Sequence, residues 1–244
     1  MRNRPVPHID PEEADFVRGL VLHQDEALIA FDKPSGLPVQ TRGNRGRCLE
    51  NLLPAFARSN GKSPRLVHRL DTGTSGVVLV AQTKPAAAHL SKEFAERRVK
   101  KIYLALAGGS LPNGSAGRID QALRSCKGER GQPPMAPSDA ENAQTAVTGW
   151  RILARAGEVA VFELRPQTGR MHQLRAHLKY LGCPILGDPL YGPDKRPPGR
   201  LMLHAASLAL RHPSGHDFDI AAPVPEAMGQ AALEAGLAVG AIEA

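Results

Sequence analysis

The feature that most constrains the fold is a run without a single polar side chain, Gly76-Val77-Val78-Leu79-Val80-Ala81. A short apolar run rich in β-branched residues reads as a buried strand. Directly before it stand Val67-His68-Arg69-Leu70-Asp71-Thr72-Gly73-Thr74-Ser75. An imidazole, a guanidinium, a carboxylate and hydroxyls are thus delivered on a turn that glycines let bend sharply and that a rigid strand anchors, a common place for a catalytic group. A single aspartate more often caps a turn or a helix, so it is the company Asp71 keeps that singles it out.

The rest of the chain fits around that strand. Leu20-Val21-Leu22 and Leu28-Ile29-Ala30-Phe31 flank the polar Gln24-Asp25-Glu26 and predict a hairpin. Lys33-Pro34-Ser35-Gly36-Leu37-Pro38 breaks regular structure. Pro85 opens a helix with Ala87, Leu90 and Phe94 on one face. That helix ends in Arg97, Arg98, Lys100 and Lys101, read equally as a solvated helix end and as an RNA contact. Ile102 to Ala107 returns to strand, and residues 108–143 are loop-like, with an apolar interlude near Ile119 to Leu123. Paired strands are predicted at Val147 to Leu153 and Val159 to Leu164, then a helix from Met171 to Leu181 with a Leu174, Leu178 and Leu181 stripe and Gly182 as its stop. Leu201 to Leu210 reads as a final strand or strand pair. Strands outnumber helices and many are hairpin-connected, so the class is α+β with a mixed, mostly antiparallel sheet. Residues 1–18 read as an N-terminal extension, 19–224 as one catalytic domain, and 225–244 as an Ala-rich surface helix or frayed tail.

Composition narrows the function. Lys and Arg number 31 against 24 acids, a formal charge of +7 that suits a polyanionic partner, nucleic acid first. Aromatic residues are only 4%, too few for a sheet of stacking platforms. Cys48, Cys126 and Cys183 are far apart, form no CxxC pair and read as reduced thiols of a cytoplasmic protein. No apolar run follows the basic N-terminus as a secretory signal would require, and none reaches membrane-spanning length. No GxGxxG or GxxxxGK[ST] occurs, so nucleotide cofactors have no support. His172 and His177 are five apart, wrong for a two-His metal face, and no metal is expected. His172 and Arg175, three apart on the predicted helix, share a face. Arg175 lies beside Leu174 and Leu178, and a buried Arg needs a carboxylate partner.

Together these segments resemble the RluA-type pseudouridine synthases, which modify ribosomal and transfer RNA. The signature HRLD, two variable residues, then TSG is complete from His68 to Gly76. Lys33 to Leu37 is similar to the KPxGL segment, and Lys101-Ile102-Tyr103-Leu104-Ala105 to KxYxA. Gly169-Arg170-Met171-His172-Gln173-Leu174-Arg175 resembles GRTHQ[IL]R, and Gly187-Asp188-Pro189-Leu190-Tyr191-Gly192 and Leu203-His204-Ala205 match two further blocks. The resemblance covers roughly residues 20–224 in the family's order. Met171 departs from it, standing where a small polar residue is usual, and is expected to tune packing. The extension is too short for the S4-type RNA-binding domain of many relatives, so recognition is expected from the catalytic domain itself.

The resemblance implies a bent central sheet flanked by helices, with the active-site cleft across it. It implies isomerisation of specific uridines in structured rRNA or tRNA, without cofactor or metal, by a monomer away from membranes. It implies Asp71 as nucleophile or general base, Arg175 as its ion-pair partner, Tyr103 packing on the uracil, and Arg69 filling the gap left by the flipped base. His68, Thr74, Arg170, His172 and Gln173 are the further substrate-binding candidates. Arg42, Arg45, Arg47, Arg97 and Arg98 are candidates for phosphate contacts. Two rival readings are an inactive RNA-binding protein or chaperone on the same fold, and a glycoside or nucleoside hydrolase. The second is disfavoured because most such hydrolases use two paired carboxylates.

Overall fold

The computed structural model describes residues 9–41, 46–126, 134–192, 199–238, 240 and 242. In chain order the first elements are α1 (Pro11–Arg18), β1 (Val21–Gln24), β2 (Leu28–Lys33), α2 (Leu49–Leu52), β3 (Arg65–Leu66), β4 (Ser75–Ala81) and α3 (Lys84–Ala95). There follow β5 (Lys100–Gly108), β6 (Ala116–Asp120), β7 (Leu123–Ser125), β8 (Met135–Pro137), β9 (Val147–Ala156) and β10 (Val159–Pro166). The chain continues with α4 (Gln173–Tyr180), β11 (Leu203–Arg211), β12 (Asp217–Ala221) and α5 (Glu226–Glu234). Every strand pair described here is antiparallel, as the α+β reading expects. Two compact units divide the chain, Met1–Lys100 with Ser207–Pro223, and Lys101–Ala206 with Val224–Ala244.

The first unit is built on β4, buried at all of its positions. β2 runs antiparallel along it, from Leu28 opposite Ala81 to Lys33 opposite Gly76. β1 closes the predicted hairpin, with Gln24 opposite Ile29. Asp25 fixes its turn by accepting the Ala27 and Leu28 amides on Oδ1. α3 starts as predicted: the Thr83 hydroxyl accepts the Ala86 N–H, and Pro85 occupies the first turn, where its missing N–H costs nothing. Its inner face packs Leu90, Ala87 and Phe94 against the layer of Val77 and Leu79. Each fully buried Val or Leu in such a layer is worth about 1.5–3 kcal/mol. Two parts of this unit escaped the sequence reading. Residues 11–18, taken with the extension, form a helix that buries Ala14 and Val17. β12 lies beyond the predicted last strand and pairs with β11, Ser207 opposite Ala221.

In the second unit the strand order is β5–β10–β9–β6. Tyr103 lies opposite Leu164, Thr148 opposite Pro166, and Ile119 opposite Thr148. The predicted β9–β10 hairpin turns at Gly157, whose φ of +55° a larger residue would adopt only with strain. Residues 108–143, expected to be loop, hold three short strands, with 127–133 outside the described residues. β6 is fixed by its pairing to the long β9, a tertiary gain its own five residues do not advertise. β7 pairs with β8, and Leu123 and Met135 bury with Ala176 and Tyr191. The main core joins Leu106, Val161 and Phe162 to Leu174 and Leu178 of α4 and to Met228 and Ala231 of α5. The Ala-rich tail thus carries a helix with one face in the core.

Candidate active site

Asp71 sits on the turn between β3 and β4, partly buried, with its carbonyl accepting the Thr74 N–H at 3.1 Å. The backbone just after it is pinned by the segment following β2. Gly36 N–H and the Lys33 ammonium both donate to the Thr72 carbonyl, at 2.8 and 3.2 Å, and the Ser35 hydroxyl donates to the Gly73 carbonyl at 2.7 Å. Lys33 has no exposed surface, and its ammonium also donates to the Pro34 and Leu37 carbonyls. A buried ammonium is tolerated only when its protons are taken up in this way. The Lys33-Pro34-Ser35-Gly36-Leu37 segment is therefore a brace that holds the Asp71 turn.

His68 is bound into the same brace. Its Nε2 accepts the Leu79 N–H at 2.8 Å, so a neutral ring carries its proton on Nδ1. The ring stacks on Phe94, centroids 4.3 Å apart and planes at 20°, which sets the last turn of α3 against the segment leading into the Asp71 turn. Thr74 is 2% exposed. Both residues are expected to bind substrate; here the His68 Nε2 is engaged by β4, and Thr74 is buried. Arg69, between His68 and Asp71 in the sequence, is exposed.

In the second unit, α4 begins two residues later than predicted because His172 takes a left-handed conformation, φ 51°. Such a residue is its N-cap and not part of the helical surface, so the expected shared helical face of His172 and Arg175 does not form. The two instead meet at Tyr191: the His172 Nδ1 lies 3.3 Å from its hydroxyl, and the Arg175 guanidinium carbon lies 5.1 Å from its ring centroid. Gln173 is 4% exposed and its amide is saturated. Its oxygen accepts from the Thr168 hydroxyl and Arg170 N–H, and its nitrogen donates to the Val147 carbonyl and Thr148 hydroxyl. It ties α4 to β9 and has no capacity left for a substrate. Arg170 donates through Nε to the Thr145 carbonyl. His177 is fully buried between Thr148 and the Gln121 carbonyl, and burial lowers its pKa, favouring the neutral ring. Met171, expected to tune packing, is 44% exposed and fills no gap in the core.

Arg175 is buried, and its carboxylate partner within this unit is Asp188. Nε and Nη2 donate to Oδ2 and Oδ1, both at 2.7 Å, a bidentate fork. Asp188 Oδ1 also accepts the Leu190 and Tyr191 amides. Burial pushes the Asp188 carboxyl upward, but the Arg175 hydrogen bonds and charge, with those amides, outweigh it and hold the group below its ordinary value. Tyr191 completes the cradle, its hydroxyl donating to the Met135 carbonyl and accepting the Met135 N–H. Asp188 and Tyr191 were given no role from sequence, although the Gly187–Gly192 block and the need of a buried Arg for a carboxylate both pointed to them. Tyr103 is half-buried on β5 and packs on the core of this unit.

Of the phosphate-contact candidates, Arg42 and Arg45 lie outside the described residues. Arg47 faces Glu13 at 3.5 Å and stacks over Phe16. Arg98 is tied to the buried Glu93 at 2.6 Å and to Glu96. Arg97 is exposed, with φ 58°. A left-handed conformation costs a side-chain-bearing residue roughly 1–2 kcal/mol. Two open pockets, one beside Leu53 and Arg65 and one beside Asp25 and His212, contain none of the predicted site residues. Among the described residues no cluster of His, Cys, Asp and Glu could hold a metal ion, and no helix is long and apolar enough to cross a membrane.

Residues 27–180, which include the Asp71 turn, Tyr103 and α4, match the family described as RNA pseudouridylate synthase. The chain belongs to that family. Pseudouridylate synthases isomerise uridine in RNA to pseudouridine, and this chain is accordingly an RNA isomerase; the rival of an inactive binding protein has no support. An uncharacterized RNA pseudouridine synthase of Zymomonas mobilis is 37% identical over 209 residues, covering 85% of this chain and 94% of its own length. The ribosomal large subunit pseudouridine synthase C of Rickettsia bellii is 34% identical, covering 84% of this chain and 68% of its own. Among solved structures, human RNA pseudouridylate synthase domain containing 4 superposes with a TM-score of 0.78 at 29% identity, over 93% of this chain and 98% of that one.

Proposed function

We propose that this synthase modifies one or a few uridines in structured ribosomal or transfer RNA, with Asp71 as its catalytic carboxylate. The observation that carries the proposal is the Asp71 turn itself: a complete HRLD-xx-TSG signature whose backbone is clamped at Thr72 and Gly73 by the buried Lys33 segment. The names of the Rickettsia relatives favour large-subunit rRNA as the first substrate to try.

The chemistry asks for what these residues offer. The C1′–N1 bond of uridine breaks, the uracil turns, C5 bonds to C1′, C5 loses its proton and N1 gains one. Nothing is oxidised and nothing is added, so no cofactor or metal is called for. Breaking a glycosidic bond builds positive character at C1′, which a carboxylate stabilises. In the proposal Asp71 does this, by attack on C1′ or by removing the C2′ proton. Arg175 supplies the cation that keeps Asp71 ionised, and Tyr103 packs on the freed uracil and helps keep water from the sugar. Arg69 takes the place of the flipped base, whose unstacking costs about a few kcal/mol. The enzyme acts as a cytoplasmic monomer.

The test is chemical mapping of pseudouridine across total RNA from cells with the wild-type gene, no gene, or the Asp71→Ala gene. The expected result is loss of the same few sites in both mutant strains. Sites that persist with Asp71→Ala would remove Asp71 from the chemistry, and an unchanged map in the deletion strain would remove the RNA reading.

A further inference from the structure

Three helices of this chain end in the same hydrogen-bonded turn. After α4, Gly182 N–H donates to the Lys179 carbonyl and Cys183 N–H to Leu178, with Gly182 at φ +87°. After α5, Gly236 donates to Leu233 and Leu237 to Ala232, with Gly236 at φ +83°. After α3, Arg97 N–H donates to Phe94 and Arg98 N–H to Glu93, with Arg97 at φ 58°. The turn requires a left-handed residue at its first position beyond the cap, and glycine fills that position without a steric penalty. Two of the three ends use glycine; the end of α3, whose Phe94 stacks on His68, uses an arginine.

Local needs do not explain that arginine. The carbonyls at the end of α3 are already met by the two turn bonds. The positive charge that suits a helix C-terminus is already supplied by Lys92 and by Arg98, which is anchored on buried Glu93. The Arg97 side chain is exposed and has no hydrogen bond or ion pair among the described residues. Its neighbours in charge are also exposed: Lys100 three residues on, and Arg69, adjacent to the His68 ring that stacks on Phe94 of the same helix turn. Backbone strain kept at a site next to a catalytic turn points to a function for the strained residue.

We propose that Arg97 is a phosphate-binding residue, held outward by its left-handed turn to grip the RNA backbone beside the Asp71 turn. Its guanidinium fork matches two phosphate oxygens, and an exposed cation without an acidic partner loses no ion pair on binding. Arg98, its neighbour in sequence, is the scaffold that fixes the turn. The inference rests on the RNA reading above and deepens it by naming a contact to the substrate's backbone.

The test compares wild type, Arg97→Gly, Arg97→Lys and Arg98→Ala in binding large-subunit rRNA purified from cells lacking the gene, over a series of KCl concentrations. Thermal melts are run in parallel. Arg97→Gly should weaken binding about five- to tenfold at low salt and reduce the slope of log K against log[salt] by about 0.7–0.9, one phosphate's worth. It should also raise Tm, because glycine relaxes the turn. Arg97→Lys should keep the slope. Arg98→Ala should lower Tm, because it leaves the buried Glu93 without its partner. An Arg97→Gly protein with wild-type affinity and slope overturns the proposal, and a lowered Tm with unchanged binding would make Arg97 a helix-end charge instead. Pseudouridine mapping on the wild type separates the two levels: wild-type modification with Arg97→Gly binding unchanged defeats only this inference, whereas no modification by wild type defeats the RNA reading and this inference with it.

Discussion

Arg175 and Asp188 are each almost without solvent, and that decides what either position tolerates. Removing one charge of a buried pair leaves the other uncompensated, at a cost of about 3–5 kcal/mol. Asp188→Asn should therefore lower the urea midpoint sharply while leaving m unchanged, and a shift as small as that of a surface substitution would show that the fork is not what stabilises this turn. The pair has a pH signature whose sign follows from the direction of the shift. The Asp188 carboxyl is held below its ordinary 3.8, so its contribution is fully present above that value and is lost as the pH falls below it through the folded pKa. Wild type should lose stability in that acid range more steeply than Asp188→Asn does. At this scale the sequence was informative about which residues matter and less so about their partners. His68 and Gln173 stand in family signatures and read as substrate contacts, yet the His68 Nε2 is taken by the Leu79 amide and the Gln173 amide by Thr168, Arg170, Val147 and Thr148. A short motif records residue types, and bonding partners arrive from distant strands that no spacing rule can reach.

At the scale of elements, β9 and β10 were legible because each is a long run rich in apolar residues, with Gly157 between them, and α3 because Pro85, Ala87, Leu90 and Phe94 mark both its start and its inner face. β6 was not, since only Ile119 of its five residues is buried and its register comes entirely from β9. Gly117 records how close that contact is: a Cβ there would stand 2.6 Å from the Trp150 ring. Gly117→Ala should push the buried indole off its place and destabilise by about 1–3 kcal/mol, read from the urea midpoint. A neutral result would mean that β6 can slide outward without cost to the core. α1 was missed for a related reason: two helical turns give only Ala14 and Val17 to the interior, too few for a period to show.

For the whole molecule, the formal charge of +7 was readable from composition and agrees with an RNA substrate, while the division into two units was not, because the chain leaves the first unit after Lys100 and returns to it at Ser207. That division bears on the three thiols, read from sequence only as reduced and now found buried: Cys48 in the first unit, Cys126 and Cys183 in the second. Burial also pushes the Cys183 thiol up to about 11, so little nucleophilic thiolate exists near neutral pH. Folded protein should therefore resist alkylating reagents, and each cysteine should become labelled only as fast as its own surroundings open. Pulse alkylation followed by peptide mass spectrometry, at rising urea, would then time the opening around Cys48 separately from that around Cys126 and Cys183. Rapid labelling of all three in native buffer would contradict their burial. The native chain thus carries, without any engineered probe, a separate chemical clock in each of its two units.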